Sequence, residues 1–197
     1  MRTIEVVGQV RTGLGKSDSK STRNEGKIPC VVYGTGETTH FLAEPLDVRD
    51  LIYTDEFRKA LVKIDNHTIE CIVKDVQYHP VKDNIIHIDF QALTNGKSVK
   101  VNMPLKLQGT SEGQKVGGTL VQKMRKLQIM AKPESLLENI KVDITALELG
   151  KSMRVRDIAL PEGMEALTNG SIPVASVDIP RALRSAQTKA ATEGKKK

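Results

Sequence analysis

The chain has no tryptophan, only three tyrosines and three phenylalanines, so aromatic residues make up 3% of its 197 positions. Few large rings are available to anchor a core, and aliphatic strands must fill it. Cysteine is scarcer still. Cys30 and Cys71 stand alone in apolar stretches without C-x-x-C spacing, which excludes a disulfide framework and a cysteine-rich metal site. No run approaches the roughly 18 apolar residues of a membrane helix, and residues 1–10 alternate rather than forming the apolar centre of a secretion signal. A soluble, cytoplasmic protein with no membrane partner is expected.

Catalytic signatures are missing as well. His40, His67, His79 and His87 lack the spacing of metal ligands, and the carboxylates belong to no recognisable acid–base motif. G-L-G-K-S at 13–17 ends like a nucleotide-binding loop, but the first glycine of that motif would fall on Val10, and the S-D-S-K-S-T-R that follows is no buried helix. No catalytic residue, metal or cofactor is expected.

The charge that is present is unevenly placed. Of a net +6, residues 1–93 carry 12 basic against 14 acidic groups, residues 94–180 carry 12 against 9, and residues 181–197 carry 6 against 1. Within the acidic first part lies a basic island, R-T-G-L-G-K-S-D-S-K-S-T-R-N-E-G-K at 11–27. It reads as a flexible loop with one short helical possibility at 17–25, stopped by Gly26. The last 17 positions have no apolar periodicity and read as a mobile basic tail.

Alternating apolar stretches predict strands at 2–10, 28–33, 38–43, 60–64, 68–76 and 85–92, with Pro45 opening a short helix whose apolar positions are Leu46, Leu51 and Ile52. A composition shift at L-T-N-G, residues 93–96, marks a domain boundary. Beyond it, short strands at 99–107, 119–131, 140–144, 153–155 and 172–177 with Gly and Pro punctuation predict a second all-β domain. The division is 1–93, 94–180 and a tail at 181–197. Overall the fold is mainly β with short helices.

Two features suit an anionic partner. In the island, Arg11, Lys16, Lys20 and Arg23 are spaced to meet phosphates, with Ser19, Ser21 and backbone amides near Gly13 and Gly15 fixing the register. In Q-Y-H-P-V-K-D-N-I-I-H-I-D-F at 77–90, strand alternation turns Ile86, Ile88 and Phe90 inward and His87 and Asp89 outward. If residue 79 faces residue 85 across the turn, Gln77 faces His87 and Asp75 faces Asp89, which gathers amide, imidazole and carboxylate groups, His79 among them, on one exposed face. Such a face can address base edges and 2′-hydroxyls in the shallow minor groove of an RNA helix. Each feature alone also reads as plain solvated surface.

The blocks G-K-I-P-C-V-V-Y-G (26–34), D-V-Q-Y-H-P-V-K (75–82), I-H-I-D-F (86–90), G-T-S-E-G-Q-K-V-G-G-T-L (109–120), K-V-D-I-T-A-L-E-L-G (141–150) and D-I-A-L-P-E-G (157–163) stand in an order that carries a resemblance over nearly the whole chain. It resembles the bacterial large-subunit ribosomal protein family numbered twenty-five, in the longer form called CTC or general stress protein. That resemblance implies an N-terminal six-stranded β-barrel docked on loop E of 5S rRNA, a mostly β C-terminal domain, and a monomer held among other large-subunit components. Carried over by position, the RNA contacts it implies are Arg11, Lys16, Ser19, Lys20, Arg23, Tyr33, Gln77, His79, His87 and Asp89. One departure stands out: the family usually has S-R-R-L-R where this chain has S-K-S-T-R at 19–23, losing an arginine and an apolar anchor. Two other functions stay open. The barrel is similar to the anticodon-binding barrels of glutaminyl-tRNA synthetase, which would make the chain a tRNA-binding accessory to an enzyme partner, or it acts as a stress protein away from the ribosome.

Overall fold

The computed structural model describes residues 1–65 and 67–181; beyond Arg181 the basic tail expected at 181–197 lies outside the described residues. The first part of the chain runs β1 (Thr3–Val10), α1 (Lys16–Asn24), β2 (Ile28–Tyr33), β3 (Thr39–Ala43), α2 (Pro45–Ile52), β4 (Lys59–Ile64), β5 (His67–Tyr78) and β6 (Ile85–Ala92). The six strands close into a barrel in the order β1-β3-β2-β6-β5-β4. Closure comes from parallel pairing of β1 with β4, with Thr3 opposite Lys59 and Gly8 opposite Ile64. A closed sheet leaves no bare edge for another strand to join.

Period-two alternation fills the interior. K-A-L-V-K-I of β4 turns Ala60, Val62 and Ile64 inward, and Val6, Cys30, Val32, Phe41, Ile88 and Phe90 are among the residues buried with them. The two phenylalanine rings meet with centroids 5.7 Å apart, tilted by 40°. In α2, Pro45 occupies the first turn, and Val48 and Leu51 are buried. Leu46 is instead 75% exposed. Its five-residue offset from Leu51 turns it by roughly 140° at about 100° per residue, off the inward stripe.

In the basic island the short helical possibility read at 17–25 is realised as the nine-residue helix α1, so much of the segment is not a flexible loop. Its sequence has weak helix propensity, but Thr22 is buried where the helix rests on β2. Gly26, at φ +81°, ends it as expected. The amide of Gly26 bonds the Arg23 carbonyl at 3.2 Å and that of Lys27 bonds the Thr22 carbonyl at 3.1 Å, the paired pattern of a left-handed glycine stop.

From residue 99 the chain forms β7 (Val99–Gln108), α3 (Glu112–Lys115), β8 (Thr119–Gln122), β9 (Lys126–Ala131), β10 (Ile140–Asp143), β11 (Ser152–Arg154), β12 (Met164–Ala166) and β13 (Pro173–Asp178). These make a four-stranded sheet, β10-β7-β9-β12, and a three-stranded sheet, β11-β13-β8. The stretch read from sequence as one strand at 119–131 is two, and they lie in different sheets. Ser111 and Gln114 form a reciprocal capping box that starts α3. After α3 the chain passes close to β13 at Gly118, where a Cβ would stand 2.4 Å from Val177 Cγ1. The barrel ends at Ala92, next to the expected boundary, while the compact units run as Met1–Val101 with Ala131–Glu138, and Asn102–Met130 with the chain from Asn139 on.

Candidate nucleic-acid interface

The hairpin of β5 and β6 pairs Gln77 with His87 and Asp75 with Asp89, the two pairs expected from placing residue 79 opposite residue 85. The turn differs from expectation. Tyr78, not His79, pairs with Ile85, and a bulge between Gln77 and Tyr78 takes up the extra residue. His79 is thereby released from the ladder to organise the turn. Its backbone amide bonds the Asn84 carbonyl at 2.8 Å, and its Nδ1 accepts from the amides of Val81 and Lys82, each at 3.2 Å. Because Nδ1 accepts, the ring proton sits on Nε2, and the outer edge of His79 is a donor.

His87 has the opposite character. Its Nδ1 lies 2.7 Å from Asp89 Oδ1, two residues along the same strand face, with both side chains partly exposed. An ionised carboxylate only accepts, so Nδ1 carries a proton, and in the neutral ring Nε2 offers a lone pair outward. Asp89 also faces Val31 on β2, where Tyr33 pairs with Gln91. Burial pushes the Tyr33 phenol above its usual range, and the charges of Asp89 and Asp75 add to the rise. The phenol therefore remains a donor at neutral pH.

Beside this face lies α1. Arg11, at the end of the first barrel strand, reaches back to it: Nε donates to Asp18 Oδ2 at 3.0 Å and Nη2 to Ser19 Oγ at 2.8 Å. The Ser19 hydroxyl in turn donates to the Gly15 carbonyl at 2.7 Å. The Arg11 side chain is only 9% exposed, and through its bond to half-buried Ser19 it holds the helix in place. Thr22, where the family resemblance implies an apolar anchor, is buried with its hydroxyl on the Asp18 carbonyl at 2.9 Å. Threonine thus supplies the anchor and satisfies its own polar group. Lys16, Lys20 and Arg23 remain exposed. Arg23 Nε donates to the Ile86 carbonyl at 3.2 Å, which ties the end of the helix to the start of β6.

Helix and hairpin therefore meet on one side of the barrel. Between α1, α2 and the turn after β5 is a cavity of about 730 Å³, lined among others by Lys20, Arg23, Lys27, Arg49, Tyr53 and Lys82. His79 also lines it. Lys27 belongs to the basic island, whereas Arg49, Tyr53 and Lys82 escaped the sequence reading, because α2 and the hairpin turn, far apart in the chain, supply them and no local motif unites them with the island. The groups of the interface are hydrogen-bonding and ionic. Cys30 and Cys71 are buried, and burial pushes both thiols up to about 12, so neither is a nucleophile. Among the described residues there is no cluster of three or more His, Cys, Asp or Glu side chains fit to hold a metal ion, and no helix long and apolar enough to cross a membrane.

Residues 6–90 match the Ribosomal L25p family, and residues 98–181 match the family described as Ribosomal protein TL5, C-terminal domain. The chain is 40% identical over 191 residues to the large ribosomal subunit protein bL25 of Cytophaga hutchinsonii, which covers 97% of this chain and 99% of that one. It is 38% identical over 197 residues to the bL25 protein of Amoebophilus asiaticus, covering all of both. With the bL25 protein of Bacteroides thetaiotaomicron the identity is 37% over 200 residues, covering 99% of this chain and all of that one.

Proposed function

The chain belongs to the bL25 family of large-ribosomal-subunit proteins, and from that premise we propose that its barrel binds 5S rRNA at the irregular duplex of loop E. As a family member it is a structural component of the large subunit in the cytoplasmic ribosome and not an enzyme. The single observation that carries the finer proposal is the convergence of α1 and the β5–β6 hairpin, joined where Arg23 meets the Ile86 carbonyl.

The two elements divide the work. Lys16, Lys20 and Arg23 neutralise phosphates and set the register of the barrel on the RNA. The strand face addresses the wide, shallow minor groove of an A-form duplex, which presents 2′-hydroxyls and base edges. There His87 Nε2 accepts from a hydroxyl or an amino group. His79 Nε2–H and the Tyr33 phenol donate, and Gln77 does both. Asp89 fixes the tautomer of His87, so its role is to position that ring. Arg11 and Ser19 act one step back, by seating α1 so that the free cations point outward.

A face with donors and acceptors in fixed positions favours a distorted duplex over a regular one, because only some backbone shapes match all of them together. The test is a chemical footprint of the full chain on 5S rRNA. Protection concentrated on the loop E internal loop is expected. Absent or evenly spread protection removes 5S rRNA as the specific ligand. The relatives match over the whole length of the chain, so an accessory role beside a tRNA synthetase has less in its favour.

A further inference from the structure

Five of the cavity's lining residues are cationic, namely Lys20, Arg23, Lys27, Arg49 and Lys82, and none is Asp or Glu. That concentration arises in a stretch of chain, residues 1–93, whose net charge is −2. None of the five is in an ion pair among the described residues. The same walls carry apolar groups that the fold leaves outside its core: Leu46, 75% exposed, and Tyr53, 64% exposed. A volume near 730 Å³ is in the range of small-ligand pockets. It is too small for a duplex and large enough for a nucleotide.

We propose that this groove receives one unpaired RNA nucleotide, its base against Tyr53 and Leu46 and its phosphate among Lys20, Arg49 and Lys82. The idea rests on the barrel being an RNA-binding unit and adds a second mode to it. Phosphate charge and a π-face are what the lining complements, since stacking on an aromatic ring tolerates any base while the cations hold the backbone. An acidic peptide would satisfy the cations and leave Tyr53 unused. His79 belongs to both the groove and the hairpin turn, so an extruded nucleotide would lie next to the duplex bound by the strand face.

The experiment uses the full chain and a single-stranded RNA hexamer carrying one 2-aminopurine, followed by fluorescence and anisotropy. Tyr53→Ala is expected to weaken hexamer binding about tenfold and to abolish quenching of the 2-aminopurine, while Tyr53→Phe retains both. Arg49→Gln with Lys82→Gln is expected to weaken binding and flatten its salt dependence. Tyr53 is exposed at the end of α2, so its replacement leaves the core intact, which thermal melting checks. Hexamer binding unaffected by Tyr53→Ala overturns the proposal, as does equal displacement of the hexamer by hexaglutamate. Footprints on 5S rRNA are taken with the same variants. Loop E protection with a hexamer indifferent to Tyr53 defeats the groove alone, whereas Tyr53-dependent hexamer binding without loop E protection supports the groove and defeats the 5S assignment.

Discussion

Replacing Arg11 by alanine separates a residue that seats the helix from one that meets phosphate. Arg11 is nearly buried and bonds Asp18 at 3.0 Å and Ser19 at 2.8 Å. An ionic hydrogen bond contributes about 1.5 to 3 kcal/mol, but Asp18 is 46% exposed, and screening brings the pair down to about 1 kcal/mol. The bond to Ser19 adds about 1 kcal/mol. Roughly 2 kcal/mol of helix seating is therefore lost, and RNA affinity falls by at most about 30-fold if binding must restore all of it. The salt dependence behaves differently. Each neutralised phosphate contributes a slope of about −0.9 in a plot of log affinity against log salt, so Lys16, Lys20 and Arg23 together give about −2.7. Arg11→Ala leaves those contacts in the bound state, and its slope stays within about 0.3 of the parent. Arg23→Ala reduces the slope by about 0.9. Anisotropy titrations on 5S rRNA across a potassium chloride series, with thermal melts of each variant, measure both quantities. A full unit of slope lost in Arg11→Ala, with an unchanged melting temperature, would refute the assignment of Arg11 to the interior.

Three further outcomes are expected. Nitrogen-15 NMR at neutral pH should find His87 protonated on Nδ1 and His79 on Nε2, and Asp89→Asn should remove the Nδ1 preference of His87 only; the same tautomer on both rings contradicts the hydrogen-bond pattern. Cys30 and Cys71, with thiols raised from 9.0 to about 12, should resist an aromatic disulfide reagent at pH 8 until the chain is unfolded. Their native state keeps protons that the unfolded chain gives up, so this contribution to stability is intact below about pH 9 and declines as pH rises toward 12; rapid labelling of the folded protein would show that they are not buried. Gly118→Ala forces a Cβ to within 2.4 Å of Val177 Cγ1 and 2.7 Å of the Gly113 carbonyl, and should cost about 1 to 3 kcal/mol in urea unfolding. An unchanged midpoint would contradict close packing there.

Much of the barrel could be read directly from the residues. Inward and outward positions in β4, and in β6 from Ile88 on, follow from alternation, since side chains in a strand must change face at every residue. Ile86, expected inward, is only partly buried and lines the groove, and Ile85 packs against the core instead, next to the bulge in the paired strand. Pro45 and Gly26 mark a helix start and a helix stop because each has a backbone restriction or freedom that other residues lack. The pairing of Gln77 with His87 was reached from an assumed turn alignment, residue 79 opposite residue 85, that the structure does not keep. The turn alignment was not accessible in that way, because a bulge shifts register without changing the hydrophobic pattern of either strand.

What the sequence determined by itself was mainly β architecture, the barrel's buried face and the presence of a basic island among otherwise acidic surroundings. Periodicity and charge are local properties, and one chain states them plainly. Only the tertiary structure decided that the island folds as α1, because its weak helical preference is overruled by burial of Thr22 and by the reach of Arg11 across to Asp18 and Ser19. It likewise decided which cations stay free and brought Lys20, Arg49 and Lys82 around Tyr53. Those residues are separated by many positions along the chain, and closure of the barrel, a long-range event, is what brings them together.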